Sequence, residues 1–145
     1  MASVKNVANY ILSLSNPDVG DYISNLKLQK LLYYAQGYHL AIFNKPLFED
    51  EIEAWEYGPV VRSMYYAFRE SGSSAIEPPS KIDDSEFSDD QKDLLKEVYD
   101  VLGQFSALKL MDMTHKEPPW RNTPKNNTIS HAELKEYFKT ELMDD

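Results

Sequence analysis

The sequence predicts a mainly α-helical protein, a compact bundle of about six helices around one central buried helix, with at most a short β-strand or hairpin near residues 51–57. Three observations predict it. The longest apolar stretch, residues 26–43 (LKLQKLLYYAQGYHLAIF), has helical spacing and is apolar nearly all round. The segments on either side carry single apolar stripes at i, i+3, i+4 spacing, which suits helices that each bury one face. Between them stand Pro, Gly and Asn breaks and capping sequences led by serine.

In the central stretch, Leu28, Leu31, Leu32, Ala35, Tyr38, His39 and Ile42 form one broad face, with Leu26, Tyr33 and Leu40 opposite. A helix apolar on most sides belongs in the middle of a domain. Gly37 costs about 1 kcal/mol relative to Ala in a helix interior. Close approach of another backbone to a Gly37/Ala41 notch is the expected compensation. His39 is expected to be a core histidine with a hydrogen-bond partner. The row Lys30, Tyr34, Gly37, Ala41 is expected to receive another segment, the turn from Trp55 to Pro59.

The remaining elements follow in order. Ser3 caps a first helix to Leu14, with Val4, Val7, Ala8, Ile11 and Leu14 as its stripe. Asn16-Pro17-Asp18 and Gly20 break it, and Ser24 caps the central helix. After Asn44-Lys45-Pro46, Ile52 and Ala54 alternate with Glu51, Glu53, Trp55 and Tyr57, as in a short strand. Gly58 is a break, and Pro59 suits the first turn of a helix carrying Val60, Val61, Met64, Tyr65 and Phe68. Residues 72–87 read as a long irregular, acidic connection, tacked down by Ile76 and Ile82. Ser88 to Gln91 forms a capping box for a helix with Leu94, Leu95, Val98, Val101, Leu102 and Phe105 facing inward. Ser106 caps a shorter helix to Thr114, with Leu108, Leu110 and Met111 apolar, which Pro118-Pro119 stops. A second capping box, Ser130 to Glu133, opens the last helix, with Leu134, Tyr137, Phe138 and Leu142 facing inward.

A chain of 145 residues suits one domain, here residues 1–145. A domain of that size buries about 70% of its unfolded surface, enough for a core without staples. There are no cysteines, so disulfides, thiol catalysis and Cys-based zinc sites are excluded. No apolar run reaches the ~20 residues of a membrane span, and the N-terminus lacks a signal peptide's regions. A soluble, cytoplasmic protein is expected. The net charge of −9 opposes binding to nucleic acid and favours a basic protein partner.

The sequence has no HExxH, glycine-rich phosphate loop or GxSxG. His39, His115 and His131 lie far apart, and four good metal ligands do not come together in sequence. No catalytic residue, cofactor or metal is therefore assigned, and an enzyme is not expected. The aromatic content is the more informative signal. Trp55, Tyr57 and Trp120 stand beside breaks, where they either seal the ends of the core or serve an interface.

Three stretches together resemble one family. They are Lys27 to Gln36 (KLQKLLYYAQ), Ile52 to Val60 (IEAWEYGPV) and Thr114 to Trp120 (THKEPPW), followed by the closing helix from Ile129 to Phe138. In this order and spacing they resemble the Panacea antitoxin domain, also called the SocA-like or phage-associated GepA domain, over nearly the whole chain. The resemblance implies a mainly helical fold and a small bacterial or phage protein that neutralises a toxin by binding it. It also implies, for SocA-like members, an adaptor that hands the toxin to the ClpXP protease, and no enzymatic activity. Leu31, Tyr34, Trp55, Gly58, Pro59 and Trp120 are all compatible with packing alone. The sequence departs from the family after Trp120, where members often continue Trp-x-x-Ala-Arg and this chain reads Arg121-Asn122-Thr123-Pro124.

The expected function is an antitoxin-like interaction protein. Tyr34, Tyr57, Arg62, His115 and Trp120 are its candidate partner-binding residues, gathered at one end of the central helix. The expected partner is a cognate protein toxin, with ClpX or ClpXP as a further one, and neither nucleic acid nor membrane. Two alternatives stand beside it. One is a small hydrolase using His115 with Glu117 or Glu56, and the other a transcriptional regulator with a basic face.

Overall fold

The first helix, α1 (Val4–Ser13), starts where the Ser3 hydroxyl accepts a hydrogen bond from Asn6 N at 3.1 Å. Its Val4, Val7, Ala8, Ile11 and Leu12 are buried. The helix ends in a tight turn, Pro17–Val19, closed by Gly20 at φ +83°. Ser24 then caps α2 (Asn25–Phe43), its hydroxyl accepting from Lys27 N at 3.3 Å. Asn44 terminates α2 at φ 61°, a left-handed conformation that Asn tolerates.

α2 is the axis of the protein. It packs against α1, a small hairpin, and four later helices, and its residues Leu31 to Gly37 are all buried. The hairpin consists of β1 (Glu53–Trp55) and β2 (Gly58–Val60), antiparallel, with Trp55 opposite Gly58 and Glu53 opposite Val60. The later elements are α3 (Arg62–Ala67), α4 (Asp89–Leu102), α5 (Ala107–His115), α6 (Pro118–Arg121) and α7 (His131–Met143). The computed structural model describes residues 1–143, with only the backbone of Met143. Among these residues there are seven α-helices and one two-stranded sheet, so the mainly helical expectation holds.

The serine caps lie where the sequence puts them. Ser88 and Gln91 make both halves of the capping box on α4. The Ser106 and Ser130 hydroxyls accept from Lys109 N and Glu133 N at the starts of α5 and α7, each at 3.1 Å. Gln91 also reaches across to α2. Its Nε2 donates to His39 Nε2 at 3.1 Å, while His39 Nδ1 donates to the Lys45 carbonyl at 2.7 Å. His39 is thus a fully buried core histidine with both nitrogens satisfied. Burial lowers its pKa and keeps it neutral. Residues 72–88 are irregular, pinned by buried Ile76 and Phe87 and half-buried Ile82; Ile76 N donates to Ile23 O at 2.8 Å.

The structure corrects the sequence reading in four places. Pro59 lies in β2, not in the first turn of a helix, and α3 begins at Arg62. The fixed φ of proline suits an extended strand as well as a helical first turn, and the hairpin decides between them. Pro118-Pro119 both ends α5 and opens α6, where prolines at the first positions forgo no hydrogen bond. What Gly37 receives is the Phe138 ring of α7, not a backbone. Finally, Ile42, Val101 and Leu142, all placed on core-facing stripes, are exposed.

Candidate interaction face

The hairpin is held from below by polar side chains of α2. Lys30 is completely buried, and its Nζ donates to the Pro59 carbonyl at 3.0 Å. Gln29 Oε1 accepts from Val61 N at 3.0 Å, and Gln29 Nε2 donates to Asn25 Oδ1 at 2.9 Å. Asn25 in turn donates to the Tyr65 carbonyl at 3.0 Å. Further along the helix, Gln36 bridges Leu47 N (2.7 Å) and Phe48 O (2.9 Å). Among the described residues every buried side-chain nitrogen and oxygen has a partner, as a buried polar network requires. Burial lowers the Lys30 pKa to about 7, since a charged ammonium there is poorly solvated.

Gly58 closes the hairpin at φ +110°, which favours glycine. A Cβ there would lie 2.6 Å from Lys30 Cε and 2.9 Å from Thr114 Oγ1, so the turn sits close on α2 and α5. On its other side β1 is bonded by residues 126–129, with Ala54 N donating to Asn127 O at 2.9 Å and Ile129 N to Ile52 O at 2.8 Å. Only the tip, Glu56-Tyr57, projects.

A second grip comes from α5 and α6. Trp120 Nε1 donates to the Trp55 carbonyl at 2.7 Å. The Trp120 ring stacks on His115, with centroids 4.2 Å apart and planes at 29°. His115 Nε2 donates to the Glu56 carbonyl at 3.0 Å. Trp55 also donates to Glu53 Oε1 at 2.9 Å, and that oxygen pairs with Arg62 at 3.1 Å.

Beneath this grip lies a buried carboxylate. Glu117, which precedes α6, accepts from Tyr33 OH at 2.9 Å and Tyr34 OH at 2.8 Å. Burial raises its pKa to about 7, against the opposing effect of the tyrosine hydroxyls.

Of the five predicted residues, four lie around the hairpin. Tyr57 is at the tip, 62% exposed; Arg62 is exposed beside Glu53; His115 and Trp120 form the half-buried clamp. Tyr34 is only 2% exposed, so it is not on a contact surface. It acts from below, by holding Glu117 at the start of α6. The expected row on α2 is divided: Lys30 receives the Gly58-Pro59 turn, and Gly37 receives α7.

Sequence reasoning missed Tyr65, Arg69 and Arg121. An apolar hollow of about 660 Å³ lies beside the hairpin, lined by Leu26, Trp55, Tyr57, Val60, Tyr65 and Arg69 among others. Arg121 lines a smaller hollow with Trp120 and Ala54. A signal was present. The chain has only three arginines, Arg62, Arg69 and Arg121, and two tryptophans, Trp55 and Trp120. All five border the hairpin or these two hollows.

The hydrolase alternative relies on His115 and Glu117, which both have other partners here. His115 bonds a backbone carbonyl and stacks on an indole, while the carboxylate of Glu117 is taken up by tyrosines. Among the described residues no group of three or more potential ligands could hold a metal ion. No helix among them is long and apolar enough to cross a membrane.

The face around the hairpin is aromatic and bears arginine, a composition that is enriched at protein interfaces. Residues 28–121 match the family model described as "Antitoxin SocA-like, Panacea domain", and the chain belongs to that family. It is similar to Antitoxin SocA of Caulobacter vibrioides (strain NA1000 / CB15N), with 46% identity over 54 residues. The match takes in 37% of this chain and 29% of that protein, so the chain spans under a third of that relative's length. No solved structure matches.

Proposed function

We propose that this chain is an antitoxin that neutralises a cognate protein toxin by binding it, with the hairpin face as the contact surface. The observation that carries this reading is that both tryptophans and all three arginines border the hairpin or the two hollows beside it. Trp, Tyr and Arg are the residues that dominate interface energetics. The double support of the hairpin, by α2 and by the His115–Trp120 clamp, favours a preorganised surface, which lowers the ordering cost of association. Membership of the antitoxin family supports the choice of a toxin as partner. Delivery of the bound toxin to the ClpXP protease is the fate we assign to the complex, by likeness to SocA-like adaptors.

The test is co-expression and mixing with the product of the adjacent gene. The expected results are rescue from its toxicity and a complex that survives gel filtration. Tyr57→Ala and Arg69→Ala should weaken that complex, while Leu108→Ser, on the exposed face of α5, should not. A neighbouring product that is harmless alone and forms no complex on mixing overturns the toxin reading. Degradation assays with purified ClpXP then separate sequestration from delivery.

A further inference from the structure

α4 and α7 both pack on α2 but scarcely on each other. Between them runs a groove of about 450 Å³, lined by apolar side chains that include Ile42, Val98, Val101 and Leu142, with Glu97 and Glu141 also on its walls. Ile42 and Val101 are 44% and 47% exposed. Tyr38 and Ile42 are one turn apart on α2, as are Glu97 and Val101 on α4, so both walls present helical ridges. This is a bundle with a position open for one more helix. The groove lies away from the hairpin, and α7 falls outside the residues matched by the family model.

The charge around the groove defines its occupant. The groove's charged lining residues are Glu97 on α4 and Glu141 on α7, and among the described residues no lysine or arginine lines it. A second copy of this chain would bring an equally acidic wall against the first, and like charges facing each other oppose association. A basic amphipathic helix meets both requirements, with its apolar side chains in the groove and its cations facing α4.

We propose that the α2–α4–α7 groove docks a basic amphipathic helix of a protein partner. This surface is separate from the hairpin face and does not depend on the toxin reading.

A labelled helical Leu/Lys peptide, titrated into the full chain and followed by fluorescence anisotropy, tests the proposal. A scrambled peptide of the same composition and a Leu/Glu helix serve as controls. The Leu/Lys helix should bind at least about tenfold more tightly than either control. Val101→Asp and Ile42→Asp should each weaken it at least about tenfold, although each adds negative charge. Tyr57→Ala should leave it unchanged. Circular dichroism checks that the variants fold. Equal binding of the scrambled peptide, or tighter binding by Val101→Asp, would mean charge attraction without a groove and would overturn the proposal. So would a dimer in sedimentation that Val101→Asp dissolves, since a second copy would then be the occupant.

Discussion

The ring of Phe138 lies directly against Gly37, so close that a Cβ on residue 37 would stand 2.1 Å from Phe138 Cε2. Phe138 is itself enclosed, with ring centroids of Tyr33, Tyr34, Tyr38 and Tyr137 between 4.7 and 5.9 Å away. The absence of a side chain at Gly37 is what lets α7 seat on α2. Gly37→Ala gains about 1 kcal/mol of helix propensity and loses about 1–3 kcal/mol to overpacking. The expected net loss is ~0–2 kcal/mol in urea unfolding. A double-mutant cycle with Phe138→Leu should recover part of it, because the two residues touch.

Glu117 makes stability fall as pH rises. Its carboxyl has a pKa of about 7 in the folded protein against 4.5 when unfolded, so the folded state holds the extra proton between those values. The stabilisation is complete below about pH 4.5 and is lost on rising through pH 7. With 1.36 kcal/mol per pKa unit, the contribution is on the order of 3 kcal/mol. Glu117→Gln should flatten the stability profile over that window, measured by urea unfolding at a series of pH values.

Lys30 works with the opposite sign at higher pH. Its folded pKa of about 7 lies below the unfolded value of 10.5, so the unfolded chain binds the proton more tightly. Stability from this residue rises between about pH 7 and 10.5. Lys30→Met should remove that rise while leaving the acid limb to Glu117. The two limbs together place a minimum near neutral pH in the wild-type profile.

Gln36→Leu removes the partners of Leu47 N and Phe48 O at once. Each buried backbone group left unsatisfied costs about 1–3 kcal/mol. The expected loss is ~3 kcal/mol by thermal unfolding, larger than a change of side-chain volume alone predicts. Gln36→Glu keeps the acceptor for Leu47 N and loses the donor to Phe48 O, and should fall between wild type and Gln36→Leu.

What could be read from the sequence was mostly local. Ser3, Ser24, Ser88, Ser106 and Ser130 reveal helix starts because a cap acts within three residues. The all-round apolarity of residues 26–43 reveals the axis, because burial on every side leaves no polar stripe. The hairpin's supports could not be read that way. Gln29, Lys30 and Gln36 bind main-chain atoms of distant segments, and a carbonyl oxygen leaves no mark in a sequence. Tyr34, expected on the partner-binding surface, is buried instead, because its hydroxyl meets a carboxylate 83 positions away inside the protein. Val101 and Leu142 continue true stripes, but a stripe tells which side faces the bundle, not whether a neighbour is there to cover it.

The central helix grips its loops by their backbones, at Pro59 O, Val61 N, Leu47 N and Phe48 O. Such a grip is indifferent to the side chains that those loops carry. Tyr57 and its exposed neighbours can therefore be exchanged for others while the frame beneath keeps its geometry. A lineage built on this frame can change its exposed face by rewriting a few letters, without having to find a new way to fold.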